Sequence, residues 1–484
     1  MFLNSLKGRA LFIVLGTSVV SLSQAQLRAA TWNITNYTSG RVSAFQTAIF
    51  GEFQGRSMNP DVLVVQEIKG TTGINNFLNL LNSAPGQTNQ WAVGTPYIST
   101  GDSDSAMFYR KSKIDFVGLA NVAGDPRATQ RYDFKLKGYG SSSTMNPNIS
   151  YYSSHLKSGD SAAEEARRLT ETTNIRHDAA SRPAGTHFLI GGDFNIKSSA
   201  DDGYNRLVAP SVSGDGTAGR FHDPINSSYT SGGGAINWTS STYSVLHTQD
   251  PYGAGGMDDR YDFILTGGLL RDGKGLDYIG STSAAYTLSG WNDPNHSYRV
   301  WGNDGTSYNT TLTTTGNTMV GATIAQALRD STGNTNPNNT GGHLPVFLDM
   351  KVPADLATSA SSLNFGTTTI GAVAEQSLGV ANAVDAMIWG TAGVQNLNFQ
   401  FSITGSGFIA PSGTFNLLAG QSIGSIISMD TSTAGTRSAT LNVFDTVTGQ
   451  LNQVALNGLV VVPEPASMIA LGLGAVALLR RKRK

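Results

Sequence analysis

Six short polar sets punctuate this chain, each beside an apolar run: Trp32-Asn33, Gln66-Glu67, Tyr152-Ser153-Ser154-His155, Gly192-Asp193-Phe194-Asn195, Tyr261-Asp262 and Gly342-His343-Leu344-Pro345. Their residue types are carboxylates, imidazoles and side-chain amides. These are the groups that hold hard divalent cations, pass protons and hydrogen-bond anions. Each set alone has a structural explanation. Glu67 would cap a strand, His343 would be a satisfied core histidine, and Gly-Asp-Phe-Asn would be a turn, since Gly, Asp and Asn all favour one. So many sets in one chain, each flanking a buried run, are harder to assign to caps and turns.

For the sets to meet, the apolar runs must be strands whose ends gather. Ala29 to Trp32, Asp61 to Val65, Tyr151 to Ser154, His187 to Ile190, Tyr261 to Leu265 and Leu344 to Met350 are apolar or alternating. Runs that are apolar on both faces predict two sheets packed together, with the polar ends at one rim. Two helices are legible. Ile74, Phe77, Leu78 and Leu81 recur at one-faced helical spacing, and Ser161-Ala162-Ala163-Glu164 is a capping box that opens a charged helix towards Ala180. The Gly-, Asn- and Thr-rich stretch between Ser281 and Gly342 reads as long surface loops, and its Asp and Asn side chains match no calcium loop of known ligand spacing.

The ordered set Trp32-Asn33, Gln66-Glu67, His155, Gly192-Asp193-Phe194-Asn195, Tyr261-Asp262 and His343-Leu344-Pro345 resembles the endonuclease/exonuclease/phosphatase superfamily. Within it, the match is nearest to secreted bacterial nucleases similar to deoxyribonuclease I. The resemblance spans residues 26–352 and implies a four-layered α/β sandwich with the site at one edge of two packed sheets. It implies Mg²⁺, with Mn²⁺ or Ca²⁺ as substitutes, held by Glu67 with Asn33 nearby. Asp193 would accept a proton from the attacking water or orient it, and Asn195 would fix the scissile phosphate. His155 and His343 would hydrogen-bond phosphate oxygens or assist proton transfer, with Asp262 orienting one of them and raising its pKa. Arg110 and Lys157 are either further phosphate contacts or solvated surface charges.

One departure stands out. The family has Ser-Asp before the last histidine, where this chain has Gly341-Gly342. Asp258 and Asp259 are the nearest candidates by motif to replace the missing carboxylate. The implied activity is phosphodiester hydrolysis, with extracellular DNA as the preferred substrate and RNA as a second. The same core would serve a phosphatase or phospholipase, and a degraded copy would be a catalytically inactive surface interaction protein.

Both ends read as addresses. Lys7 and Arg9, an apolar run from Ala10 to Val20 and Ser23-Gln24-Ala25 predict a signal peptide over 1–25. Residues 462–484 carry Val462-Pro463-Glu464-Pro465, an apolar stretch from Met468 to Leu479 and a basic end from Arg480 to Lys484. That tail resembles the PEP-CTERM sorting signal of Gram-negative bacteria. It implies an exosortase as partner, transient inner-membrane contact, and a place at the cell surface or beyond. The absence of cysteine excludes disulfides, thiolate catalysis and Cys-bound zinc. A net charge of −1 supplies no global field for a polyanion, so nucleic acid would be held by a local basic groove and by metal.

After a linker at 353–361, residues 362–461 alternate with period two and carry frequent glycine. Strands are expected at Gln376 to Val380, Leu397 to Ile403, Ile423 to Met429, Ser438 to Val443 and Gln453 to Leu456. This predicts a β-sandwich similar to the Ig-like repeats of bacterial surface proteins. It contains no cluster of histidines or carboxylates, so spacing or adhesion is its expected role.

Overall fold

The computed structural model describes residues 26–99, 104–141, 143–226, 235–336, 338 and 341–463. The expected signal peptide and residues 464–484 of the sorting tail lie outside the described residues. In chain order the first part opens with β1 (Leu27–Tyr37), α1 (Val42–Phe50), β2 (Val62–Ile68), α2 (Gly70–Ser83), β3 (Trp91–Val93) and β4 (Asp104–Arg110). Next come β5 (Ile114–Val122), β6 (Thr129–Leu136), β7 (Ile149–His155), α3 (Ala162–Ala180), β8 (His187–Asp193) and α4 (Asp202–Val208). It closes with β9 (Phe221–His222), β10 (Asp262–Gly267), β11 (Asp277–Tyr278), β12 (Arg299–Val300), α5 (Gly321–Ser331) and β13 (Val346–Lys351).

These strands form two facing sheets, β11-β13-β1-β2-β4-β3 with β12 joined to β13, and β5-β6-β7-β8-β10-β9. Helices α1, α2 and α5 pack together on the side of the first sheet, α3 and α4 on the side of the second. The result is a four-layered α/β sandwich. β1 and β2 are buried along most of their length because a helix covers one face and the other sheet covers the second. The interior between the sheets is not wholly apolar. Gln66 spans it, its Nε2 donating to Ser153 Oγ at 2.9 Å and to Thr31 Oγ1 at 3.1 Å. Gly191 permits the close approach, since a Cβ there would lie 2.8 Å from the Tyr151 hydroxyl oxygen.

Strand direction determines which ends meet. β1 is parallel to β2 and β7 to β8, whereas β13 and β10 run antiparallel to β1 and β8. The C-terminal ends of β1, β2, β7 and β8 therefore share a rim with the N-terminal ends of β10 and β13. Both expected helices form. α2 buries Ile74, Phe77, Leu80 and Leu81, and α3 begins at the Ser161–Glu164 capping box.

The stretch between Ser281 and Gly342, expected as surface loops, is exposed in part and interior in part. It holds β12 and α5, whose buried Ile324, Ala325 and Leu328 lie on a helix packed against α1. Its polar side chains serve buried backbone. Asn303 Nδ2 donates to the Ser244 and His247 carbonyls, Asn317 Nδ2 to those of Gly302 and Thr313, and Asp304 accepts from Thr318 N. Irregular backbone can be buried only when its groups are paired, and these Asn and Asp residues do the pairing. Their abundance, which resembles loop composition, is what lets parts of the segment go inside.

The second part comprises β14 (Leu356–Thr358), β15 (Ser362–Thr369), β16 (Glu375–Asn382), α6 (Ala386–Trp389) and β17 (Leu397–Gly405). It ends with β18 (Phe408–Ile409), β19 (Phe415–Leu417), β20 (Ser422–Met429), β21 (Gly435–Asp445) and β22 (Leu451–Val461). Sheets β14-β16-β20-β18 and β15-β22-β21-β17-β19 enclose their own apolar cluster, with Leu378, Phe399, Ile427, Leu441 and Val454 at its centre. The expected linker at 353–361 is not free chain. It contains β14, paired with β16, and buries Ala354 and Leu356.

The two parts are joined by packing. Trp389 is fully buried, donates from Nε1 to Lys137 O at 2.7 Å and lies under the Lys113 ammonium at 4.9 Å. Tyr139 donates to Pro353 O, and Asp385 N to Gly138 O. Lys137 follows the end of β6, which runs antiparallel to β7. The sandwich thus docks at the rim opposite His155 and Asp193.

Candidate active site

At the shared rim the backbone departs from regular strand. Thr35, Asn36 and Glu67 have φ of 52°, 50° and 59°, and the β1–β2 and β2–β4 registers both slip there. A left-handed non-glycine residue costs on the order of 1–3 kcal/mol and persists only where its surroundings over-determine it. Here the gain is direction. The Glu67 side chain leaves the ladder and is caught by Asn36 N on Oε2 and by Asn33 Nδ2 on Oε1, both at 3.0 Å. Gly192 is equally constrained, because a Cβ would fall 1.8 Å from Ser154 O. That explains the glycine before Asp193, and Phe194 then anchors the turn by stacking on Phe263 at 3.9 Å.

Asn33 Nδ2 also donates to Asp193 Oδ2 at 3.1 Å, so one amide links carboxylates from both sheets. His155 Nε2 lies 3.6 Å from Asp193 Oδ2 and 4.0 Å from Glu67 Oε1. From the far side His343 places Nε2 3.7 Å from Asp193 Oδ2 and donates from Nδ1 to Asp262 Oδ2 at 2.7 Å. One ligand atom each from Glu67, Asp193 and His343 falls within 4.8 Å of the others. The two carboxylate oxygens at that separation suit a hard divalent cation. Asn33 Oδ1 accepts from Thr35 N at 3.0 Å, so its amide NH₂ faces the carboxylates and its oxygen faces away.

The electrostatics separate the two histidines. Burial opposes charge on both. Around His343, Asp262 and Asp193 outweigh burial and push its pKa up, so it is an imidazolium at neutral pH. His155 is pushed down by burial, then by Arg127, His343 and Lys69, and stays neutral. Asp193 is pushed up, first by burial and then by Asp262 and Glu67, with His343 opposing. A cation beside it would offset that carboxylate repulsion. Two like groups driven apart in this way mark a division between donor and acceptor.

The remaining expected residues divide. Asn195 sits on the rim with φ 53°, but its Nδ2 donates to Leu156 O at 3.2 Å. Lys157 follows β7, yet its ammonium is taken by Ser158 O and by Glu164 Oε1 at 3.2 Å, so it belongs to the start of α3. Arg110 is not at the site. β4 runs antiparallel to β2, which carries Arg110 to the start of β2, where it bonds Pro60 O, Gln87 and Asn59 and lies over Trp91.

Gly342 has φ 74°, and a Cβ there would meet Thr35 Oγ1 at 2.6 Å, so the Ser-Asp of the family pattern has no room. The carboxylate that reaches this turn is Asp250, accepting from Gly341 N at 2.8 Å. Asp259 instead bonds Tyr261, and Asp258 lies beside it. Asp250, Lys69 and Arg127 were not foreseen. Lys69, two residues past Glu67, was the one with a sequence signal.

The fold is a four-layered α/β sandwich with carboxylates and imidazoles gathered at one rim. The Endonuclease/Exonuclease/phosphatase family profile matches residues 30–283, and the chain belongs to that family. Its members hydrolyse phosphodiesters and phosphate esters, generally with a divalent metal. A PEP-CTERM protein-sorting motif matches residues 461–484, which indicates exosortase-linked export in a Gram-negative bacterium. No helix among the described residues is long and apolar enough to cross a membrane.

No curated protein matches the sequence. Similar solved structures include a humanized TDP2 of D. rerio at 11% identity, covering 68% of this chain and 100% of that one, with TM-score 0.38. The human Nocturnin catalytic domain shares 14% identity over 68% of this chain and 95% of its own, with TM-score 0.38. A beta toxin of Staphylococcus aureus shares 13% over 66% and 99%, with TM-score 0.36.

Proposed function

We propose that the protein is an exported, metal-dependent phosphodiesterase acting on nucleic acid, DNA before RNA. The observation that carries this reading is the convergence of Glu67, Asp193 and His343 from both sheets within 4.8 Å, with His155 beside them. Glu67 would hold the divalent cation, Mg²⁺ by preference, with Asn33 setting the carboxylate. That ion would neutralise charge on the phosphate. Asp193 accepts the proton of the attacking water, and His343, kept cationic by Asp262, hydrogen-bonds the phosphate. His155, neutral, takes a second phosphate contact or the proton. Asn195 fixes the turn that carries Asp193 and borders the phosphate.

DNA is preferred as substrate because an exported enzyme of this family meets extracellular DNA. The test is hydrolysis of plasmid and of labelled DNA and RNA oligonucleotides by the chain from residue 26 onward, with Mg²⁺, with EDTA, and with Asp193→Ala. Cleavage that needs metal and falls by about 10²–10⁴ in the variant supports the proposal. Intact nucleic acid beside hydrolysis of a lipid or inositol phosphate would replace the substrate. Silence on every ester would overturn the catalytic reading.

A further inference from the structure

A second charged site lies at the end of the second sheet opposite the catalytic groups. β10 carries Asp262 at one end, and towards the other carries Thr266, the partner of His222 in β9. At about 3.3 Å per residue, roughly 13 Å of strand separates the two places. There a cavity of about 300 Å³ is lined by Arg220, Arg271, His222, Asp223, Tyr204 and Thr282, among others.

The charges in this cavity do not balance. Its carboxylate, Asp223, is already engaged: both oxygens accept from Arg260, at 2.8 and 2.9 Å, and one also accepts the Tyr204 hydroxyl at 2.9 Å. Arg220 spends its Nε on Val208 O, and Arg271 its Nη2 on Asn226 Oδ1 and Thr282 O. Arg271 Nη1 is buried with no hydrogen-bond partner. Among the described residues, neither guanidinium has a carboxylate within the 4.0 Å of an ion pair. Behind them Arg176, fully buried, gives its donors to backbone carbonyls alone. The positive field is large enough to help burial hold His222 down at about 4. Cations gathered in a partly desolvated cavity repel, and an anion is the partner that offsets this.

We propose that this cavity binds a phosphate-class dianion, either inorganic phosphate or the phosphate group of a small phosphomonoester, on Arg220 and Arg271. A dianion neutralises both guanidiniums, whereas a single carboxylate neutralises one. The planar forks of arginine suit phosphate oxygens. The volume is at the lower end of small-molecule sites and exceeds what a bare phosphate fills. Tyr204 and Val208 supply a wall for an attached organic group. The site stands apart from the catalytic reading and does not depend on it.

The test is titration calorimetry on the chain from residue 26 onward, in EDTA and chloride buffer. The probes are inorganic phosphate, a 5′-mononucleotide, the unphosphorylated nucleoside and succinate. Phosphate and mononucleotide should bind saturably, and the nucleoside not at all. The tighter of the first two identifies the source. Arg220→Gln should weaken binding by about tenfold to a hundredfold, the loss of one charge-assisted contact. Arg220→Lys should recover part of it, and Asp193→Ala should bind as wild type does.

Hydrolysis by Arg220→Gln should be unchanged. Its melting temperature without phosphate should equal or exceed that of wild type, because a repelled charge has gone. Added phosphate should raise the melting temperature of wild type more than that of Arg220→Gln at the same concentration. Binding lost in Asp193→Ala but kept in Arg220→Gln would place the anion at the catalytic rim and overturn the proposal. So would the absence of saturable phosphate binding, or succinate binding as tight as phosphate.

Discussion

In the first part of the chain Asp193, Asp262, Arg168, Arg176 and Arg260 are all at most 2% exposed, whereas beyond Leu356 Asp445 alone among the described charged side chains is buried. The single case in the sandwich is locally compensated. Asp445 accepts from Val447 N, Thr448 N and Thr448 Oγ1, so one turn supplies its partners. At the candidate active site the opposite holds. Asp262 Oδ1 and His155 Nδ1 are buried without partners, and Asp193 faces two other carboxylates. A buried charge that serves only the fold is paired by its neighbours. Under the proposed function, Asp262, His155 and Asp193 are left partly unpaired for chemistry, and the cost is met by packing elsewhere.

That contrast can be broken most sharply at Asp193. Asp193→Ala should lower hydrolysis by about 10²–10⁴ while leaving the thermal midpoint unchanged or higher, since a repelled carboxylate is removed. A midpoint that drops with the rate would make Asp193 a structural charge like Asp445. Next in size is the joint between the parts. Trp389→Ala should cost about 3–5 kcal/mol and split one calorimetric unfolding transition into two. A single, unshifted transition would mean that the docking contributes nothing to stability.

Glu171 sharpens the comparison through pH. It is buried on α3, accepts from Lys157 N, and is pushed up to about 7, mainly by burial. The folded state therefore keeps a proton that the unfolded chain loses near its ordinary value. Stability from this group is present below about 4, falls as pH rises, and is gone above about 7. Glu171→Gln should stabilise by about 1–3 kcal/mol at pH 8 and by nothing at pH 4, as read by urea unfolding at both. A gain equal at both would remove ionisation as the cause. Smallest is Asp445→Ala, expected to cost about 1–2 kcal/mol without any change in hydrolysis. An effect on rate would show that the sandwich couples to the distant rim.

The residues that were legible in advance are those where a polar group ends an apolar run: Asn33, Glu67, His155, Asp193, Asp262 and His343. Burial of the run is written in its own periodicity, and the polar residue marks where the strand leaves the core. Arg110 met the same description and lies at the wrong rim, because strand direction is set by the connection and not by the strand. Lys157 was lost to Glu164, whose capping box is local but whose grip on the ammonium is not. The buried positions between Ser281 and Gly342 were hidden because residues that pair buried backbone are those that also make loops.

The amino-acid sequence by itself determined the six strands that carry the polar sets, two of the helices, the chemistry available at those strand ends and the absence of thiol chemistry. These follow from side-chain type and spacing. The tertiary structure decided which histidine is charged, where Glu67 points, that Asp250 and not Asp259 reaches Gly341, and that Arg176, Arg220 and Arg271 stand near one another with no carboxylate of the described residues within ion-pair distance. Such outcomes depend on burial and on Coulomb partners brought from far along the chain, as His343 and Asp262 are across 81 residues and Asn33 and Asp193 across 160.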